Sequence, residues 1–113
     1  MSIDKYNIKT IIPYFEVKGS YGYEHKESML LKKPVITFAS RFKEVTDHIN
    51  MVLTQYDIKH NYMERKGMHI IRITYLVNCH QFTRLIKDEV KIRKEVVNEM
   101  FDYCDKNGKR NKF

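Results

Sequence analysis

The chain has 113 residues, enough for one domain with one core and too few for two. With 42% hydrophobic and 31% charged residues it falls in the globular range and outside the disordered one. Its 21 Lys+Arg against 14 Asp+Glu leave a net charge of +7, which favours polyanionic partners, although the wealth of Lys, Ile, Asn and Tyr is also what an AT-rich genome produces. Along the chain, Asp4 is a candidate N-cap for a helix whose apolar stripe runs Tyr6, Ile8, Ile11, Ile12, Phe15. Pro13 interrupts it, so the helix is either kinked there or begins near that point. Gly19-Ser20 ends it, and residues 20–26 alternate, with Tyr21 and Tyr23 on one side and Ser20, Gly22, Glu24 and Lys26 on the other. Residues 30–39 read as a second strand, joined to the first by a polar turn over 25–28, with Pro34 at a sheet edge or bulge.

Ser40 is the expected cap of the next helix, with Lys43 and Glu44 in its first turn. Val45, Ile49, Val52, Leu53 and Tyr56 sit at helical spacing, and Asp57 closes the element. Residues 58–65 and 68–76 form a second hairpin across Lys66-Gly67. A helix over 80–90 presents Phe82, Leu85, Ile86 and Val90 on one stripe, and a further helix over 92–103 presents Val96, Val97, Met100 and Phe101. One domain is therefore expected over residues 1–104, with 105–113 a polar, flexible tail.

Two hairpins that each follow a helix predict an α+β module: one four-stranded antiparallel sheet with helices on one face. The other sheet face is then solvated or used. Strand parity assigns Ile71 and Ile73 to the core, which turns Arg72 and Thr74 outward. The same reasoning turns Lys59, Asn61 and Arg65 outward, together with Thr37 and with Ser20, Glu24 and Lys26. Such a face suits a duplex groove: Arg and Lys donate to guanine, Asn pairs with adenine, and hydroxyls reach phosphates or bases.

Residues 11–21 read I-I-P-Y-F-E-V-K-G-S-Y: an apolar run that ends in Phe15-Glu16, steps through Val17-Lys18 and breaks at Gly19-Ser20. The segment resembles the signature of the LAGLIDADG homing endonucleases in its F-(D/E)-x-(D/E)-G-(S/C)-aromatic form, and the element order resembles a single module of that family over nearly the whole chain. Residues 39–45 and the helix ending in Tyr56-Asp57-Ile58 look like the family's middle helix and the strand after it. Residues 90–94, V-K-I-R-K, resemble its basic run that sets a lysine by the scissile phosphate, matched here by either Lys91 or Arg93. The resemblance implies an αββαββα(α) fold, duplex DNA as partner, and a homodimer through the helix of residues 8–17 reading a pseudo-palindrome. Ile12-Pro13 stand where the family carries small residues at that helix contact. Lys18 stands where the family carries its metal-holding acid, and an ammonium cannot ligate Mg²⁺.

The expectation is thus a DNA-binding protein without cleavage, a regulator or site blocker of a phage or mobile element, touching DNA through Lys18, Arg41, Lys91, Arg93 and the sheet-face residues above. No catalytic residue, metal site or cofactor is expected. An active nuclease is the alternative, and would use Glu16, Lys91 and Mg²⁺. A phage-type inhibitor that uses the same sheet against a protein, and an RNA-binding maturase-like role, are further alternatives. Other patterns argue for little. His25, His48, His60, His69 and His80 never fall at ligand spacing on one element, and the four glycines are too scattered for a phosphate cradle. Most tyrosines are expected to pack the core rather than stack on bases. Cys79 and Cys104 read as two reduced thiols. No apolar run approaches a membrane span and residues 1–5 lack a signal-peptide core, so a cytoplasmic protein is expected, in the host cell if phage-encoded.

Overall fold

The computed structural model describes residues 6–24 and 32–111. A 3-10 turn, Ile8–Thr10, leads into α1, Ile12–Lys18, followed by β1, Ser20–Glu24, and β2, Lys33–Ser40. Then come α2, Lys43–Gln55, the hairpin β3, Asn61–Arg65, and β4, Met68–Thr74, and finally α3, Leu76–Ile86, and α4, Lys94–Asn111. The four strands form one antiparallel sheet in the order β1-β2-β4-β3. This is the expected α+β arrangement with a four-stranded antiparallel sheet. No helix among the described residues is long and apolar enough to cross a membrane.

Alternation along the strands builds the core on one sheet face. Ile36 pairs with Ile73 and Phe38 with Ile71, and all four are buried under the helices. Phe15 of α1 lies 5.4 Å from the Phe38 ring and 5.0 Å from that of Phe82 in α3, while α2 adds Ile49, Val52 and Leu53 to the same cluster. Burying such side chains supplies about 1.5–3 kcal/mol each before chain entropy is counted. α4 closes the layer by laying Val97, Met100 and Cys104 into the same core.

Pro13 resolves the first helix. It sits in the first turn of α1, where its missing N–H removes no helical bond, and Asn7 starts the preceding turn by accepting from the Lys9 N–H at 2.8 Å. Four local expectations change. Pro34 lies in an interior strand rather than an edge, but at a point where β2 pairs only with β1, through Tyr23; pairing with β4 begins at Val35. Ser40 ends β2 and accepts from the Phe42 N–H at 3.1 Å, so it bends the chain toward α2 without capping it. α3 begins at Leu76, not His80, because Tyr75 takes φ 72 and ends the strand pattern abruptly, after which Asn78 Nδ2 donates to the Thr74 carbonyl at 2.9 Å. α4 begins at Lys94, after Arg93 at φ 64, and continues through Asn111. The segment expected to be a tail from Asp105 onward thus forms, as far as 111, the last turns of that helix, with Asn107 buried. Asp4, Lys26, Leu30 and the expected turn at 25–28 lie outside the described residues.

Candidate nucleic-acid interface

Sheet register converts parity into geometry. Ser20 pairs with Thr37, Thr37 with Arg72, and Arg72 with Asn61, so these four side chains form one polar row across all four strands on the face opposite the core. One step toward the β3 start, Thr74 pairs with Val35 and Val35 with Gly22; beyond them Lys33 pairs with Glu24. In the other direction Met63, Ile70 and Ala39 stand in line, followed by Arg65 opposite Met68. No helix crosses this face among the described residues.

The ionic pattern on the face is specific. Arg72 Nη2 donates to Glu24 Oε1 at 3.1 Å, a diagonal ion pair over β2 that leaves the guanidinium about one third exposed. Glu24 therefore aims Arg72 rather than approaching an anion itself. Arg65 is exposed at the far end, and Lys33, which parity with Thr37 would have assigned outward from sequence, is exposed at the near end. Lys59 precedes β3 and borders, with Asn61, Thr74 and Tyr75, an open cleft of about 480 Å³ at that end of the sheet. Arg41 is exposed in the bend between β2 and α2, outside the strand rows.

The end of α1 carries the second group of residues, and there the structure separates two that the sequence had pooled. Gly19 follows the helix so closely that a Cβ would stand 2.6 Å from the Phe15 carbonyl oxygen and 2.8 Å from the Phe15 ring. Glu16 Oε2 accepts from the backbone N–H of Lys91 at 2.5 Å and of Ile92 at 3.1 Å. Those two donors, Lys91 first, hold its carboxyl below the usual carboxylate range. Arg93 reaches the other way: its guanidinium donates to the Gly19 carbonyl and, at 3.5 Å, to that of Phe15, and lies 5.4 Å from the Tyr21 ring centroid. Glu16 and Arg93 thus form a two-way clasp between the end of α1 and the link before α4, in which Arg93 takes up the carbonyl of the C-cap residue Gly19. Arg93, expected to face DNA, is spent inside the fold. Its cue, a positive φ, has no sequence signal outside glycine or asparagine.

Lys18 and Lys91 are both exposed beside this clasp, and the charge of Lys91 adds a smaller pull that favours ionised Glu16. On α1, Tyr14 is 39% and Val17 74% exposed, with Pro13 also exposed. Val17 and Pro13 lie on the side of α1 away from the sheet, while the Tyr14 ring, though partly exposed, meets Phe38 of β2 edge-on with ring centroids 6.1 Å apart.

Within one copy, the end of α1 offers a divalent cation a single carboxylate, that of Glu16. The Lys18 ammonium has no lone pair to give, and the Oε2 oxygen of Glu16 is already engaged with two amides. Among the described residues no three His, Cys, Asp or Glu come together as a metal-holding group. The described histidines are each engaged locally: His48 with Thr10 at 2.7 Å, His60 with Asn50 at 2.5 Å, His69 with the Tyr62 hydroxyl at 2.5 Å, and His80 with Asp105 at 3.2 Å. Both cysteines are buried, free thiols whose ionisation burial disfavours, and that of Cys104 is pushed up to about 12.

No protein-family model and no curated protein matches the sequence. Solved structures do match the fold. The homing endonuclease I-CvuI, crystallised with a DNA target that is not cleaved in 2 mM Mg, has a TM-score of 0.73 at 9% identity over 88% of this chain and 66% of that one. The archaeal intron-encoded homing endonuclease I-Vdi141I, complexed with DNA, has a TM-score of 0.72 at 15% identity over 92% of this chain and 69% of that one. The LAGLIDADG homing endonuclease I-GzeII, in complex with its DNA target, has a TM-score of 0.69 at 12% identity over 96% of this chain and 38% of that one. The chain thus spans just under two thirds of the length of I-CvuI. At these identities the likeness establishes the fold, that of the LAGLIDADG homing endonucleases.

Proposed function

We propose that this protein binds duplex DNA through the open face of its sheet, as a homodimer formed through the outer side of α1, and that it occupies its site without cutting it. The observation that carries the proposal is the polar row Ser20, Thr37, Arg72 and Asn61, which crosses an uncovered sheet in register. It combines one guanidinium for guanine, one amide for adenine and two hydroxyls, on a chain of net charge +7. The solved structures that share the fold include complexes with DNA, which supports DNA as the partner here.

The dimer is supported by the exposed apolar residues Pro13 and Val17 on a helix whose opposite side is fully packed. Pairing two copies there brings both Lys18 side chains to the centre, beside the two Lys91 side chains, where four ammonium groups attract the phosphate backbone. The same residues do not suit Mg²⁺, so no cleavage step is assigned to them. A protein that occupies a site in this way serves as a regulator or blocks the site against another protein, as a phage or mobile element would use it.

Titration of the purified protein with mixed-sequence duplex in rising salt tests the reading. Binding whose logarithm falls linearly with log salt, weakened by Arg72→Ala at unchanged melting temperature, is the expected result. No binding at low salt overturns it. A protein from host lysate that stays bound after nuclease treatment, with no duplex affinity, would move the sheet to protein recognition. Strand scission of genomic fragments with Mg²⁺ or Mn²⁺ would overturn the absence of cleavage.

A further inference from the structure

The outward sheet face is not polar throughout. Adjacent to the row that holds Arg72, the register lines up Ala39, Ile70 and Met63 on β2, β4 and β3. Met63 is 36% exposed and the other two are partly exposed, and none of the three belongs to the buried core. Folding therefore does not require these positions to be apolar, yet all three are. Cations border the row on both sides, Arg72 before it and Arg65 after it.

Resting on the duplex-binding reading above, we infer that this row selects thymine, by seating its 5-methyl group against Ile70 and Met63. Every base shows a donor or acceptor in the major groove, thymine its O4, but thymine alone adds a methyl, the one group there that gains by contact with aliphatic side chains. Desolvating such an edge against aliphatic carbon without a partner is costly, whereas a methyl gains by the same burial. Three adjacent strands at ~4.8 Å spacing make the row ~10 Å wide, which faces about three base pairs at ~3.4 Å each. Arg72 already holds Glu24, so the Arg65 guanidinium decides for nucleic acid over an apolar protein surface: an apolar partner would strip water from that exposed cation without neutralising it.

The test uses duplex selected on the wild-type protein from a random-sequence pool, prepared with thymine or with uracil, which lacks only the methyl. Thymine duplex should bind more tightly by about fourfold for each seated methyl. Ile70→Ala with Met63→Ala should bring the two affinities together while keeping the salt dependence. Met63→Ala alone, on an edge strand, should narrow the difference even if the double variant fails to fold. Equal affinity of the wild type for both duplexes, with a normal salt dependence, overturns this inference and leaves DNA binding standing. Absence of any duplex binding overturns both. Self-association in the absence of DNA that disappears in the Met63→Ala variant would make the row a protein interface and overturn it as well.

Discussion

At the scale of single residues, two glycines are required for different reasons. Gly67 takes φ 80 in the tight turn after Lys66, itself at φ 52, and a Cβ there would meet nothing within 4 Å. Gly67→Ala should therefore cost only the left-handed backbone penalty, about 1–2 kcal/mol. Gly19 has an ordinary extended backbone, φ −69 and ψ 151, but no room beside the Phe15 carbonyl. Gly19→Ala should cost about 1–3 kcal/mol through steric displacement of the α1 end, and should also weaken DNA binding if Lys18 moves with it. Urea denaturation of both variants separates the mechanisms, since only the Gly19 change should disturb the Arg93 contact to the Gly19 carbonyl. Glu16 gives a pH signature. Its folded-state pKa lies below the ordinary 4.5, so its contribution to stability is complete above the unfolded carboxylate value and is lost as pH falls through the lower folded value. Glu16→Gln should lower stability at neutral pH and flatten the decline between about pH 4.5 and the acid limit. An acid limb identical to the wild type would remove the clasp as its cause. Lys18→Asp exchanges an exposed ammonium for a carboxylate; metal-free affinity for duplex should fall, and the remaining binding should respond to Mg²⁺ or Ca²⁺. Unchanged metal-free affinity would place Lys18 away from the DNA.

At the scale of elements, the junction between β4 and α3 concentrates strain. Tyr75 combines φ 72 with ψ 145, a region almost reserved for glycine, while its ring is 62% exposed and lies 6.0 Å from the Lys33 ammonium. Tyr75→Gly should release more strain than the flexible unfolded chain takes back, raising stability on the order of 1 kcal/mol. A lower melting temperature would mean that the ring's packing outweighs the backbone cost. The strained turn also decides where α3 begins, and so brings Asn78 and Thr74 to the cleft bordered by Lys59 and Asn61. The clasp of Glu16 and Arg93 works at the same scale. It ties the shortest α-helix to the link before the longest, so the exposed Lys18 and Lys91 are held on one side of the molecule.

At the scale of the whole molecule, one side of the sheet is covered by helices and the other is open, and the exposed side of α1 adds a second, smaller apolar surface. Val17→Asp should abolish dimer formation in analytical ultracentrifugation while leaving the monomer folded, because Val17 is 74% exposed and contributes little to the core. The two copies would then bind independently, and affinity for a two-half-site duplex should fall far more than affinity for a single half-site, as the loss of effective concentration requires. Equal loss on both duplexes would assign Val17 a direct DNA contact instead.

Much of this architecture was legible in the chain itself. The order of elements, the burial of Ile71 and Ile73 with Arg72 and Thr74 turned outward, and the Lys66-Gly67 turn all follow from local periodicity and local backbone preference, which act over a few residues. The helix start at Pro13 was narrowed to two alternatives for the same reason. Only the tertiary structure decided the strand order β1-β2-β4-β3, and with it the alignment of Ser20, Thr37, Arg72 and Asn61 into one row beside the apolar Ala39, Ile70 and Met63. It alone turned Arg93 inward onto Gly19 and bound Glu16 to Lys91, partners 74 and 75 residues apart. It also began α3 at Leu76 through a tyrosine in a glycine conformation and carried α4 past Tyr103. Contacts between distant segments leave no periodic trace in the sequence, because their free energy comes from the packing of the whole sheet and not from the neighbours of any one residue.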